Sequence, residues 1–450
     1  MGRLFGTDGV RGIANTELTC ERAMAIGRAA GMVFADGCRR RPVVAVGSDT
    51  RISSDMLGCA VMAGLCSVGA DVIDLGVVPT PAVAYLVGKY KADAGVMISA
   101  SHNPAAYNGI KIFSGDGYKL PDALEEQIET LVLECSGEWP SPVDSGVGKI
   151  TRAANAANDY AVHVRSTVLY SLDGLHVAID CANGASSVTA KQIFEGLGAE
   201  VDILFDSPNG MNINDGCGST HMDKLADYVR EHGLDAGIAF DGDADRCLAV
   251  DEKGNFIDGD QIMAICAADL NERGRLSRKT VVGTVMTNLG FQRFCADNGM
   301  RFLATRVGDR FVLEEMILED ATFGGEQSGH IIFRDFATTG DGQLTAAQLL
   351  SLMRRCGKPL SELSSIMTKY PQVMLNLTVT PEGKLHFHTD VEVREAIERA
   401  KAELGERGRV IVRPSGTEPY LRVMVEGEDE AEISRIANEV ADVILARLGS

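Results

Sequence analysis

Three times along this chain the same order recurs: a short apolar run, a polar loop, a segment of helical periodicity closing near a glycine, and a second apolar run. Residues 43–46, 177–179 and 281–283 lead into the loops GSDTRISS, DCANGASS and GTVMTNLG. The helical segments end near Gly69, Gly198 and Gly299, and ADVIDLGVV, AEVDILF and MRFLAT come after them. A further apolar run then appears at residues 93–98, 235–240 and 320–323. Strands alternating with helices build mostly parallel sheets with helices on their faces. The repeat therefore predicts three similar α/β domains with mixed, mostly parallel sheets. From about Pro371 the pattern changes to strands VMLNLTV, RVIVRP and LRVMVEG with amphipathic helices over Val391–Leu404 and Glu430–Leu448, a C-terminal α+β domain of about 80 residues. The expected divisions are 1–150, 151–252, 253–368 and 369–450.

The loop after the third run of each repeat carries the chemistry. Ser99-Ala-Ser-His-Asn-Pro104, Asp241-Gly-Asp-Ala-Asp-Arg246 and Gly324-Gly-Glu-Gln-Ser-Gly-His330 occupy the same place in three repeats. Ligands of open α/β sheets bind beyond the carboxyl ends of the strands, so three such loops aimed at one cleft is the simplest arrangement using all of them.

Asp241, Asp243 and Asp245 alternate directly after a strand, and an extended backbone would turn all three to one side. Converging carboxylates repel one another unless a hard cation neutralises them, which points to one Mg²⁺ per chain. A solvated acidic turn is the plain alternative. An EF-hand is a poor rival, because Arg246 fills the sixth position where glycine is needed. Ser101 comes just after a buried strand, with Pro104 placed to open a helix; such a serine either caps the helix or carries a phosphate at its N-terminus. Lys111, in the apolar stretch GIKIF, reads as a snorkelling edge residue or a proton shuttle. In the C-terminal domain, Arg413-Pro-Ser-Gly-Thr-Glu-Pro419 joins a guanidinium, two hydroxyls and a glycine, a phosphate cradle or a tight turn. Glu326, Ser328 and His330 suit sugar hydroxyls, and Arg11 stands among glycines in Gly6-Thr-Asp-Gly-Val-Arg-Gly12.

Charge narrows the partners. Lys plus Arg number 43 against 63 Asp plus Glu, a net charge of −20. So acidic a chain has no general pull on phosphate backbones, which argues against nucleic acid. It must bind an anion with a few focused cations. No stretch reaches the length of a membrane span, and the opening MGRLFGTDGVRG lacks a signal-peptide apolar region. Eleven scattered cysteines without a C-x-x-C pair fit a reducing, cytoplasmic setting. The sequence leaves a homodimer open.

Taken together, FGTDGVRG, SASHNP, DGDADR, GGEQSGH and RPSGTEP resemble the α-D-phosphohexomutases along essentially the whole length, in order and at similar spacing. The resemblance implies four domains around a central cleft and a phosphoserine at Ser101. It implies Mg²⁺ on Asp241, Asp243 and Asp245, with the serine phosphate as a further ligand. Glu326 and Ser328 would hold the sugar, and Arg413, Ser415, Gly416, Thr417 and Arg422 the distal phosphate. Arg11, His102, Lys111, Arg246 and His330 would line the reacting centre, with Lys111 as general acid/base. The implied activity moves a phosphoryl group reversibly between the 6- and 1-positions of a hexose phosphate through a bound 1,6-bisphosphate, with glucosamine or glucose 1,6-bisphosphate as activator. Gln327, ISASHNP and RVMVEG resemble the amino-sugar branch, which supplies UDP-N-acetylglucosamine for cell-wall synthesis; a phosphomannomutase/phosphoglucomutase is the alternative. The chain departs from the family at residues 47–51, where Ser48 of GSDTR replaces an expected arginine, a position read as outside the reacting loops.

Two rivals come from other classes. A haloacid-dehalogenase-type phosphatase has an Asp-x-Asp nucleophile that Asp241-Gly-Asp243 would match, but Asp245 stands where Thr or Val is usual. It also leaves SASHNP and RPSGTEP unexplained. A non-catalytic phosphosugar-binding protein would not need every reacting residue intact.

Overall fold

The computed structural model describes residues 4–6, 8–36, 40–134, 139–415 and 420–449. Its first three sheets repeat one pattern. Strand Val43–Ser48 lies between Asp71–Val77 and Ala94–Ile98, parallel to both, and Tyr107–Ser114 returns antiparallel beside Ala94–Ile98. His176–Asp180 lies likewise between Glu200–Leu204 and Ala236–Phe240, with Cys247–Asp251 returning. Thr280–Thr284 lies between Arg301–Thr305 and Phe323–Gly325, with Ile331–Phe333 returning. In each case the polar motif is the loop between the third strand and the returning fourth. The first sheet gains two edge strands, Ile150–Arg152 and Val10–Ile13, and the latter sets Arg11 opposite Gly109.

Strands buried on both faces read as unbroken apolar runs, and every residue of Ala94–Ile98 and Ala236–Phe240 is buried. Helices cover them. Cys20–Ala35, capped by the Thr19 side chain, packs on Ile52–Ser67. Their backbones approach so closely that a Cβ on Gly27 would lie 2.3 Å from the Val61 carbonyl oxygen, and one on Gly64 2.3 Å from that of Met24. The second repeat departs from expectation. Its helix breaks into Ala185–Val188, Ala190–Phe194 and Glu195–Leu197, only the middle piece being α-helical. Ser186 and Ser187 turn their hydroxyls back on the carbonyls of Cys181 and Gly184, and these local bonds compete with a continuous helix, while Thr189 donates to Gln343 Oε1 at 2.8 Å.

The chain divides into two compact units. Met1–Met286 with Gly299–Ile366 holds the three α/β sheets, while Thr287–Asn298 with Met367–Ser450 holds the fourth. The second unit is an antiparallel sheet in the order Gln372–Thr378, Tyr420–Gly427, Gly408–Pro414. Helices Val391–Leu404 and Glu430–Leu448, capped by Asp390 and Asp429, bury Val393, Ile433 and Val440 against Val423 and Val425. The first helix of the third repeat, Leu289–Asp297, belongs to this unit, where Asn288 exchanges two 3.1 Å hydrogen bonds with the Tyr370 backbone. Among the described residues no helix is long and apolar enough to cross a membrane.

Candidate active site

The three motif loops of the first unit are linked through the aspartates: Ser101 meets Asp241, and His330 faces Asp245. The Ser101 hydroxyl, 1% exposed, donates to Asp241 Oδ2 at 2.6 Å, so the first repeat's serine touches the second repeat's carboxylate. Ser101 sits at positive φ (53°), a conformation that residues other than glycine hold only when their surroundings impose it. The chain after Pro104 enters strand Tyr107–Ser114 rather than the expected helix, so Pro104 does not open a helix behind the serine. Side chains shape the loop instead. Arg51 donates to the carbonyls of Ser101 (2.9 Å), Asn103 (2.8 Å), Pro104 and Tyr107, and Asn214 donates to those of Ser101 and Asn103. The guanidinium is itself held by Asp49, 2.8 Å away, which also accepts from the hydroxyls of Ser54 and Ser99. Arg51 and Asp49 lie in the GSDTR segment that sequence reading set outside the reacting loops; Ser48 itself ends the strand.

Asp241, Asp243 and Asp245 are all buried, with one ligand oxygen of each lying within 4.8 Å of the others. They converge through a turn, not an extended run: Ala244 adopts φ 55° and its N–H donates to the Asp241 carbonyl at 3.0 Å. Oδ1 of Asp243 and Oδ1 of Asp245 are buried and find no hydrogen-bond partner among the described residues. Unpartnered carboxylate oxygens buried in one such cluster are costly unless a cation takes them up, and an all-oxygen set of three carboxylates suits Mg²⁺. Burial, and then the charges of Asp245 and Asp243, push the Asp241 carboxyl well above its ordinary range. Burial also raises Asp245, but Lys111, His330 and Arg246 outweigh it and hold that group well below.

Lys111 lies on an inner strand, not an edge. Its ammonium, on a side chain 2% exposed, is 2.9 Å from Asp243, 3.3 Å from Asp245 and 3.1 Å from Asp8. Burial disfavours the charge, yet Asp243, Asp8 and Asp245 together hold it well above its ordinary pKa. Asp8, from the FGTDGVRG segment, also binds Arg11 and Lys119, and Lys119 continues to Asp309. Asp8, Lys119 and Asp309 escaped the sequence reading; the charged positions within FGTDGVRG and GYKL were the available signal. Arg11 reaches Asn103 at 3.4 Å. His102 lies 3.3 Å from the Ser101 hydroxyl, and burial, with Arg246 and Arg11 nearby, lowers its pKa to about 4, leaving it neutral. His330 accepts the Gly340 N–H at Nε2 (3.0 Å), which leaves the ring proton on Nδ1, facing Asp245 at 3.7 Å.

A cavity of about 380 Å³ opens beside these groups, lined by Asp8, Arg11, Asp245, Arg246, Glu326, Ser328 and His330 among others. Its size falls within the range of small-molecule sites. Glu326 accepts the Gly308 N–H at 3.1 Å, and burial raises its carboxyl pKa against the pull of His330.

On the second unit, Arg413 and Arg422 stand directly opposite on adjacent strands. Burial and then the Arg422 charge lower the Arg413 pKa. Like charges in such a pair are destabilising, and an anion between them relieves the repulsion. Ser415 is buried and donates its N–H to the Tyr420 carbonyl at 2.9 Å. Gly416 and Thr417 lie outside the described residues.

Models of the phosphoglucomutase/phosphomannomutase family match the chain in sequence: α/β/α domain I over residues 2–136, domain II over 158–254, domain III over 258–370 and the C-terminal domain over 374–443. A phosphoglucosamine mutase of Caldanaerobacter subterraneus subsp. tengcongensis is 55% identical over 448 residues, covering 100% of both chains. Among solved structures, a phosphoglucomutase/phosphomannomutase family protein of Burkholderia thailandensis superposes with a TM-score of 0.81 at 23% identity, covering 99% of each chain. An N-acetylphosphoglucosamine mutase of Aspergillus fumigatus, in complex with GlcNAc-6P and magnesium, gives 0.65 at 17% identity over 98% of this chain and 96% of its own.

Proposed function

This chain belongs to the phosphoglucomutase/phosphomannomutase family, and from that premise we propose that it interconverts glucosamine 6-phosphate and glucosamine 1-phosphate with Ser101 as the phosphoryl carrier. The amino sugar is supported by the full-length likeness to a phosphoglucosamine mutase. The carrier role rests on one observation: the Ser101 hydroxyl, 2.6 Å from Asp241, meets the same buried carboxylate triad as Lys111, which pairs with Asp243 and Asp245.

In this reading phosphoserine 101 presents its phosphorus to the free O1 or O6 of the bound sugar phosphate. The sugar oxygen bonds to phosphorus, the bond to Ser101 Oγ breaks, and a 1,6-bisphosphate results. After the bisphosphate turns over in the site, its other phosphoryl group returns to Ser101. Asp241, Asp243 and Asp245 would hold Mg²⁺, which when bound neutralises charge on the transferring group. Lys111, held charged by Asp243, Asp8 and Asp245, gives a proton to the leaving oxygen as its bond to phosphorus breaks, and the amine so formed takes the proton of the attacking hydroxyl. Arg11 and Arg246 add fixed positive charge at the cavity, while neutral His102 stands beside the hydroxyl. Glu326 and Ser328 bind sugar hydroxyls, and His330, its tautomer set by Gly340, steadies Asp245. Arg413, Ser415 and Arg422, with Gly416 and Thr417, are assigned the non-reacting phosphate. That grip must serve both orientations of the sugar, which focused cations on an otherwise acidic chain can do. Glucosamine or glucose 1,6-bisphosphate would prime an unphosphorylated chain. The chain is read as four domains, 1–150, 151–252, 253–368 and 369–450.

Incubation with a hexose 1,6-bisphosphate and peptide mass mapping tests the carrier role. One phosphoryl group on Ser101 is expected, with no turnover by Ser101→Ala. Full activity of that variant would overturn the assignment.

A further inference from the structure

Asp243 is held by a residue from outside its own repeat. Helix Thr80–Tyr90 of the first repeat begins at a threonine flanked by Pro79 and Pro81 and only 1% exposed. The Thr80 N–H, a first-turn donor without an intrahelical partner, donates to the Asp243 carbonyl at 2.9 Å. The Thr80 hydroxyl donates to Asp243 Oδ2 at 2.6 Å. The same oxygen accepts from Lys111 at 2.9 Å, while Oδ1 is buried and has no hydrogen-bond partner among the described residues. Two donors therefore fix one oxygen of the carboxylate, and the other is left for the cation.

We propose that Thr80 is a positioning residue for the cation site. Its hydroxyl sets the rotamer of Asp243 so that Oδ1 faces Asp241 and Asp245. Its backbone bond seats the second repeat's acidic turn against the first repeat's helix, so cation affinity depends on how these two repeats dock. A hydroxyl needed only for packing would do neither. Groups that orient metal ligands from behind are commonly worth 10- to 100-fold in metal affinity.

The test is titration of the full-length chain with Mn²⁺ followed by electron paramagnetic resonance, with Mg²⁺ as competitor. Thr80→Val keeps the side-chain shape and removes the donor. It should weaken Mn²⁺ and Mg²⁺ binding by about 10- to 100-fold and raise the Mg²⁺ needed for half-maximal turnover by a similar factor, with kcat recovered at saturating Mg²⁺. Thr80→Ser keeps the hydroxyl and should stay within about threefold of the parent chain, well inside the range that loss of such a group produces. Wild-type affinity in Thr80→Val would overturn the proposal. So would equal loss in Thr80→Ser, which would trace the effect to the methyl group. The inference rests on reading the triad as a cation site. That reading fails if the parent chain binds no Mn²⁺, whereas parental binding with an unaffected Thr80→Val removes only the role of Thr80.

Discussion

Arg51 places a full positive charge on a side chain with no exposure, and its five N–H donors are all used: one on Asp49 and four on carbonyls of the serine loop. Removing one partner of a buried ion pair leaves the other charge uncompensated, at a cost of about 3–5 kcal/mol. Arg51→Met should accordingly lower the thermal unfolding midpoint sharply and abolish phosphoryl uptake at Ser101. An unchanged midpoint would show that the loop does not depend on the guanidinium. At this scale the sequence is legible where a motif is compact. Ser101 and the three aspartates stand in short runs whose chemistry can be read locally. Arg51, Asp8 and Thr80 could not be found that way, because their partners lie far along the chain: Thr80 meets Asp243 across 163 residues, a contact only the docking of two repeats creates. Pro104 misled in the opposite sense, since a proline that could open a helix here leads into a strand.

The βαβ order of the elements was readable because strand and helix periodicities are local properties, and the three central strands fall where the apolar runs place them. The broken helix of the second repeat was not, since hydroxyl back-bonding leaves little trace in periodicity. One helix start also carries a pH signature. Asp341 caps Gly342–Cys356 by accepting the Leu344 N–H at 2.9 Å, and Tyr160 donates to the same oxygen at 2.7 Å. Burial pushes its carboxyl up to about 6 from an ordinary 3.8, despite those bonds. The folded state thus binds the proton more tightly than the unfolded chain. The group's contribution is largest below the unfolded value and falls as pH rises through the window from 3.8 to about 6, by on the order of 3 kcal/mol in all. Asp341→Asn cannot titrate. Its unfolding midpoint relative to the parent chain should therefore improve between pH 4 and pH 7, on top of a constant loss from the weakened cap. A pH-independent difference between the two would contradict the shifted carboxyl.

Across the whole molecule, one α/β design recurs three times, and the loop after its third strand is free to carry a serine, a carboxylate triad or the polar set Glu326, Ser328 and His330. The C-terminal unit sets Arg413 opposite Arg422, a focus of positive charge on a chain of net charge −20. Sequence periodicity reveals the modules but not which helix packs with which unit: Leu289–Asp297 reads as part of the third repeat and belongs structurally to the C-terminal unit. The central claim is amino-sugar phosphomutase activity. Its most direct test is phosphorus NMR of glucosamine 6-phosphate with the chain, Mg²⁺ and a trace of hexose 1,6-bisphosphate, with glucose and mannose 6-phosphates run in parallel. The account predicts rapid appearance of glucosamine 1-phosphate, slower conversion of the neutral sugars and no accumulating inorganic phosphate. Equal or faster turnover of glucose or mannose 6-phosphate, or release of free phosphate alone, would contradict it.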